Sequence, residues 1–275
     1  MTTIDLLREG AASVICHEGG GIEPTLSPRP YLRATAPSGT AVTEVMPDDH
    51  VHHLGVSAAV PDVDGVSFWG GRTYVRDRGS VLLDNHGVQR VEESERGDGR
   101  LVSTLAWLDP HGAPLLRERR TITTRADEQC VEIAWVSELT ASERSVSFGS
   151  PETNGRDGAF YGGIFWRTPF SDARVRSQDG DGPEVAHGSL SPWLALDAAG
   201  ASLVAVTTTG MPWFVRNSGY TGFGPAVAAG RRRELAKGET LRLDLAVAIL
   251  DAPADDPAAL AADLLRNTLM AGNAR

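Results

Sequence analysis

Apolar and polar residues alternate with a period of two along most of this chain, the pattern of strands with one buried face. The cleanest run sets Leu241, Leu243, Leu245, Val247 and Ile249 against Arg242, Asp244, Ala246 and Ala248. Leu101, Ser103, Leu105 and Trp107 interleave with Val102, Thr104 and Ala106, and Val131, Ile133 and Trp135 share one side of the next run. Residues 31–36 and 40–45 flank Pro37-Ser38-Gly39 as strand, turn and strand. Arg117-Glu118-Arg119-Arg120 interleaves charges of opposite sign, which predicts a solvated strand. Helical spacing occurs only near the end. There Asp256 is placed to cap, Pro257 suits a first turn, and Leu260, Leu264, Leu265 and Leu269 fall near one face. Turn signals between successive β runs predict an all-β fold of antiparallel strands, a sandwich or barrel with a short C-terminal helix. With no linker and no internal repeat, residues 1–275 read as one domain.

One stretch stands apart from this pattern. Pro47-Asp48-Asp49-His50-Val51-His52-His53 holds three of the seven histidines directly behind two carboxylates. Imidazole moves protons near neutral pH and is a common metal ligand, and an adjacent carboxylate fixes its tautomer. A strand over residues 52–60 would place His52, Leu54, Val56, Ala58 and Val60 on an apolar face. His53, Gly55, Ser57 and Ala59 would share a face of small residues with room above it. That parity makes His53 the candidate for touching a ligand and leaves His52 partly buried.

Residues 149–169 form a second break, mixing glycine, polar and aromatic residues in what reads as a long connection. Long connections in compact domains often carry function. Glu152, Asn154, Arg156, Tyr161 and Arg167 offer acceptor, amide, cation and phenol groups, the set that recognises hydroxyls and anions. Trp69, next to Gly70-Gly71, is a platform for a sugar ring or a core residue. His86, at a turn, and Arg216, in the aromatic and polar segment 212–218, complete the candidates.

Composition narrows the partners. The formal net charge is −10, which disfavours nucleic acid and anionic membrane surfaces, since both select basic patches. Cys16 and Cys130 lie in no CxxC or metal-ligand spacing and read as reduced. No secretory leader and no apolar run of membrane-spanning length is visible, so a soluble cytoplasmic protein is expected. Nothing in the sequence sets the oligomeric state.

Several of these segments together resemble the soluble bacterial family labelled methane oxygenase PmoA. They are Arg29-Pro30-Tyr31, Pro37-Ser38-Gly39, the histidine stretch 47–53, Phe68-Trp69, Thr153-Asn154-Gly155-Arg156, Tyr161-Gly162-Gly163 and Pro212-Trp213-Phe214-Val215-Arg216. That family often has arginine after the last histidine, where this chain has Leu54. The resemblance implies an antiparallel β-supersandwich of the galactose-mutarotase-like kind, in which histidines and carboxylates on a concave sheet face bind and process sugars. A carbohydrate-active enzyme of epimerase, lyase or hydrolase type is therefore expected, with a small-molecule carbohydrate as its partner. His53, His52 or His50 would act as acid or base with Asp49 or Glu152. Asn154, Arg156, Tyr161, Arg167, Trp69, His86 and Arg216 would bind substrate. Two alternatives stay open. One is a sugar-binding protein without catalysis. The other is a metal-dependent enzyme with His50 and His52 spaced to chelate a divalent ion; no other cofactor is expected.

Overall fold

A computed structural model describes residues 2–270, with side chains through Asn267. Strands make up 48% of the chain and helical residues 7%. Two large antiparallel sheets dominate. The seven-stranded sheet runs in the order Thr3–Glu9, Ala12–His17, Tyr31–Ala34, Val56–Ala59, Gly163–Thr168, Thr221–Pro225, Trp213–Arg216. The nine-stranded sheet runs Gly180–Asp181, Arg174–Ser177, Leu194–Ala198, Ala201–Val206, Thr240–Leu250, Cys130–Thr140, Pro114–Ala126, Arg100–Leu108, Val88–Gly97. The expected all-β supersandwich is thus present. Val56, Ala58, Ile164, Trp166, Trp213 and Val215 from the first sheet share one core with Trp107, Ile122, Trp135 and Leu245 from the second.

The C-terminal helix, Pro257–Leu264, forms where the signals place it. The Asp256 carboxylate accepts from the Ala259 amide at 2.9 Å, and Pro257 occupies the first turn. Its Ala261 and Leu264 cover Val204, Ala246 and Ala248 on the outer side of the nine-stranded sheet. The Leu269 side chain lies outside the described ones.

Three local expectations are corrected. Residues 40–45 contribute only two isolated bridges, Thr35 with Ala41 and Val45 with Leu54, so the second strand of that pair does not form. Within the presumed long connection, Gly163–Thr168 is a strand near the middle of the seven-stranded sheet. Every residue of it is buried, and a strand buried on both faces shows no alternation to read. The charged run at 117–120 is only half solvated. Arg117 and Arg119 face water, while Glu118 and Arg120 point inward at 1% and 2% exposure. Inside, Glu118 accepts from Trp107, Arg120 and Ser137, and Arg120 also donates to Gln89 at 2.9 Å and lies 4.6 Å from the Trp135 ring. Mutual neutralisation with hydrogen bonds is what lets two charges occupy the core.

Candidate active site

The seven-stranded sheet keeps strict parity. Ile164 and Trp166, Trp213 and Val215 point into the core, so Phe165, Arg167, Phe214 and Arg216 project from the opposite, outer face beside Ser57 and Ala59. Aromatic rings cover this face: Trp69, Phe160, Phe165 and Phe214 pack on Ala59, with Tyr161 and Tyr220 against them.

The histidine stretch reaches this face as a closed loop and not as the start of a strand. The Met46 amide donates to the His53 carbonyl at 2.8 Å, His50 N–H to Pro47, and His53 N–H to His50. The regular strand begins only at Val56. Gly55, at φ +47, interrupts the alternation, and a Cβ there would sit 2.2 Å from the Leu32 carbonyl oxygen. His53 does share the face of Ser57 and Ala59, but that face is filled by rings. His53 is 1% exposed and lies between His50 at 4.6 Å, Phe165 at 5.2 Å, Tyr220 at 5.1 Å and Trp69 at 5.6 Å. His52 is the less buried of the pair, beside Gly71, where a Cβ would press on its Nδ1. The expected ordering of exposure for His52 and His53 is therefore reversed.

Arg167 anchors the loop. Its amide donates to the Gly55 carbonyl and its own carbonyl accepts from the Glu44 amide. The guanidinium forks onto Asp49 at 3.0 and 3.2 Å and bonds Glu44 at 2.8 Å through Nε. With those partners and 5% exposure, Arg167 positions the loop instead of presenting itself to a ligand. Asp49 passes the order on: its Oδ2 lies 2.9 Å from His50 Nδ1. Burial tends to raise the Asp49 carboxyl, but hydrogen bonds from His50 and Arg167 outweigh it and hold it below the usual carboxylate range.

Beneath the loop lies a buried cation. Arg29 is 2% exposed and donates to Ser57 Oγ and to the carbonyls of Leu26, Ser27 and His52. Among the described residues it has no carboxylate partner, and burial pushes its pKa down to about 9, still protonated at neutral pH. Burial pushes His52 down to about 3, with the Arg29 charge adding to it. Burial and the neighbouring His52 and His50 push His53 lower still. Both imidazoles are neutral above pH 5, and the buried His53 Nδ1 has no hydrogen-bond partner.

The remaining candidates divide. Tyr161 packs on Trp69 at 4.5 Å, and Arg156 and Arg216 both act electrostatically on its phenol. Arg216 lies 5.0 Å from the centre of the Tyr220 ring. Trp69 is 4% exposed, so it is a wall of the site and not an open platform. Asn154 donates to Asp62 at 3.3 Å, and both line a recess with Trp69, Arg72, Tyr74 and Tyr161. Glu152 is not brought to the histidines; its carboxylate holds the Gly158 and Gly230 amides and shapes its own loop. His86 bonds the Gly71 carbonyl at 2.7 Å and supports the turn beside His52. Among the described residues no group of three or more His, Cys, Asp or Glu is disposed to hold a metal ion. The His50 and His53 rings stack at 16°, presenting faces and not lone pairs to each other.

Sequence reasoning missed Arg29, Glu44, Phe165 and Tyr220. Arg29 stood in a segment noted only for its resemblance, and Tyr220 two residues beyond the aromatic segment that was noticed. Long-range contacts alone bring them to the loop.

Set against known proteins, residues 3–264 match DUF6807, described only as a family of unknown function, and the chain belongs to that family. Its description carries no methane oxygenase label. No curated protein sequence matches. Among solved structures, a galactose mutarotase-like protein from Lactobacillus casei aligns with a TM-score of 0.48 at 8% identity, covering 90% of this chain and 100% of that one. A candidate aldose 1-epimerase from Escherichia coli K12 aligns at 0.45 and 12%, covering 90% and 98%. A GH36 α-galactosidase from Geobacillus stearothermophilus aligns at 0.44 and 12%, covering 98% of this chain but 43% of its own. No helix among the described residues is long and apolar enough to cross a membrane.

Proposed function

We propose that this chain is a carbohydrate-active enzyme that works by acid–base chemistry on the outer face of the seven-stranded sheet. The observation that carries the reading is the Asp49–His50 pair. A carboxylate clamped by Arg167 faces Nδ1 of a half-buried imidazole, which places the proton on Nδ1 and leaves Nε2 as the base. His50 is thus the proton-transferring group, with Asp49 fixing its tautomer and stabilising the imidazolium that forms. Half-buried Tyr161, backed by Trp69 and Phe214, gives the apolar face of a sugar something to rest on, and neutral, half-buried His52 offers a hydrogen bond to a hydroxyl. Epimerisation, β-elimination and hydrolysis all begin with a proton transfer of this kind.

The second reading is a sugar-binding protein without turnover. The depressed pKa values of His52 and His53 favour it, because they make these residues hydrogen-bonding groups and poor bases.

The test is His50→Gln against wild type, incubated with a panel of sugars and keto-sugars in deuterated buffer and followed by proton NMR. Loss of about 100-fold or more in turnover or exchange, with an unchanged melting temperature, is expected for a general acid or base. Full activity in His50→Gln would sink the assignment. Binding without turnover in the wild type would favour the second reading.

A further inference from the structure

The charges around the aromatic wall do not balance. Arg167 is matched by Glu44 and Asp49, and Asp62 by Arg232. Arg29, Arg156 and Arg216 have no carboxylate within ion-pair distance among the described residues. The guanidiniums of Arg29, Arg156, Arg167 and Arg216 thus outnumber the carboxylates that pair with any of them, Glu44 and Asp49. This surplus sits in a chain whose net charge is −10, so it is not the background of a basic protein.

The surplus is also aimed. Arg216 follows Phe214 by two residues on the same strand, so it projects from the face that carries the histidines. Its Nε donates to the Ser218 carbonyl at 3.0 Å and its guanidinium rests on Tyr220, which fixes the fork with its two terminal nitrogens unspent. Arg156 comes from a turn, closed by the Ala159 amide on the Arg156 carbonyl, that runs directly into Phe160 and Tyr161 of the same aromatic wall, and its charge, like that of Arg216, bears on the Tyr161 phenol. His50 packs edge-on against Tyr220 at 4.7 Å, so the Asp49–His50 pair and the Arg216 fork share a single ring as neighbour. One sugar ring could span them. Arg29 cannot touch a ligand, but its uncompensated charge below the loop adds an attractive field that little solvent screens.

We infer that the ligand of this site is an anionic sugar, carrying a carboxylate or a phosphate that is gripped between Arg216 and Arg156 while its ring lies toward Tyr161 and His50. The inference rests on the carbohydrate reading above and specifies its substrate class. A planar guanidinium fork suits either group, because both present paired oxygens.

The experiment compares binding of glucose, glucuronate and glucose 6-phosphate by calorimetry at two ionic strengths, with acetate and inorganic phosphate as sugar-free probes. Wild type, Arg216→Gln and Arg156→Gln are measured in parallel. At least tenfold tighter binding of one charged sugar than of glucose is expected, weakening with salt. Either variant should narrow that ratio to below about threefold. Which charged sugar wins identifies the group as carboxylate or phosphate. Equal binding of charged and neutral sugars, or a preference untouched in both variants, overturns the inference and leaves the carbohydrate reading standing. Arginine-dependent binding of acetate or phosphate with no sugar binding at all keeps the anion site and overturns the carbohydrate reading. No binding by any probe overturns both.

Discussion

Acid should unfold this protein through its histidines before its carboxylates titrate. His52 has a folded pKa of about 3 against 6.5 for the free side chain, and His53 is depressed further. Above pH 6.5 both are neutral in either state, and their contribution to stability is whole. As pH falls below 6.5 the unfolded chain takes up a proton on each while the folded chain does not, so stability falls. The slope is about 1.4 kcal/mol per pH unit for each histidine. Between pH 6.5 and 5 that is about 2 kcal/mol each and about 4 kcal/mol for the pair, a large part of a typical 5–15 kcal/mol. Unfolded carboxylates protonate mainly below pH 5, so this window belongs to imidazoles. His17 is also lowered, by burial and by Arg33, but it contributes equally to wild type and to the variants below. Urea unfolding at pH 7.5, 6.5, 5.5 and 5.0 measures the slope directly. His52→Gln and His53→Gln should each reduce the wild-type loss between pH 6.5 and 5 by about 2 kcal/mol. Parallel stability–pH lines for wild type and His52→Gln would mean that the folded loop accepts the proton, and the burial argument would fail.

Two further substitutions test the frame of the site. Glu118→Ala leaves Arg120 charged and uncompensated in the core, and a loss of about 3–5 kcal/mol in chemical denaturation is expected; a change below about 1 kcal/mol would show that water or Gln89 suffices as partner. Gly55→Ala forces a non-glycine residue to φ +47 with its Cβ against the Leu32 carbonyl, so the melting temperature should drop by several degrees. An unchanged melting curve would mean that the loop re-enters the sheet by another route.

Much of this architecture is legible in the sequence, wherever the two faces of a strand carry side chains of different size or polarity. Thr240–Leu250, Arg100–Leu108 and Cys130–Thr140 alternate in the chain as they do in the sheet. Gly163–Thr168 does not, because both its faces are covered and apolar residues satisfy each. The interleaved charges at 117–120 encode a strand correctly, but sequence cannot reveal that Glu118 and Arg120 neutralise each other inside. The histidine stretch announces itself by its residue types. Its parity does not, since a single left-handed residue at Gly55 and a closed loop before it decouple His52 and His53 from the strand that follows. The cations of the outer face are legible only in part: Arg156 and Arg216 stood out by chemistry, whereas Arg29 gains its meaning from burial.

The position of Thr240–Leu250 bears on how the chain is made. This strand lies between Ala201–Val206 and Cys130–Thr140, bonded along its length to the second of them. On a ribosome it appears after every other strand of the sheet. Until then the hairpins formed from residues 88–140 and those formed from residues 174–206 have no common ladder, and each ends in an open edge. The Thr140–Thr240 pairing closes a loop of about a hundred residues, the kind of non-local step that makes β proteins slow to fold. The nascent protein therefore waits with unpaired strand edges that invite partners, and the large sheet is completed only once residues 240–250 have emerged.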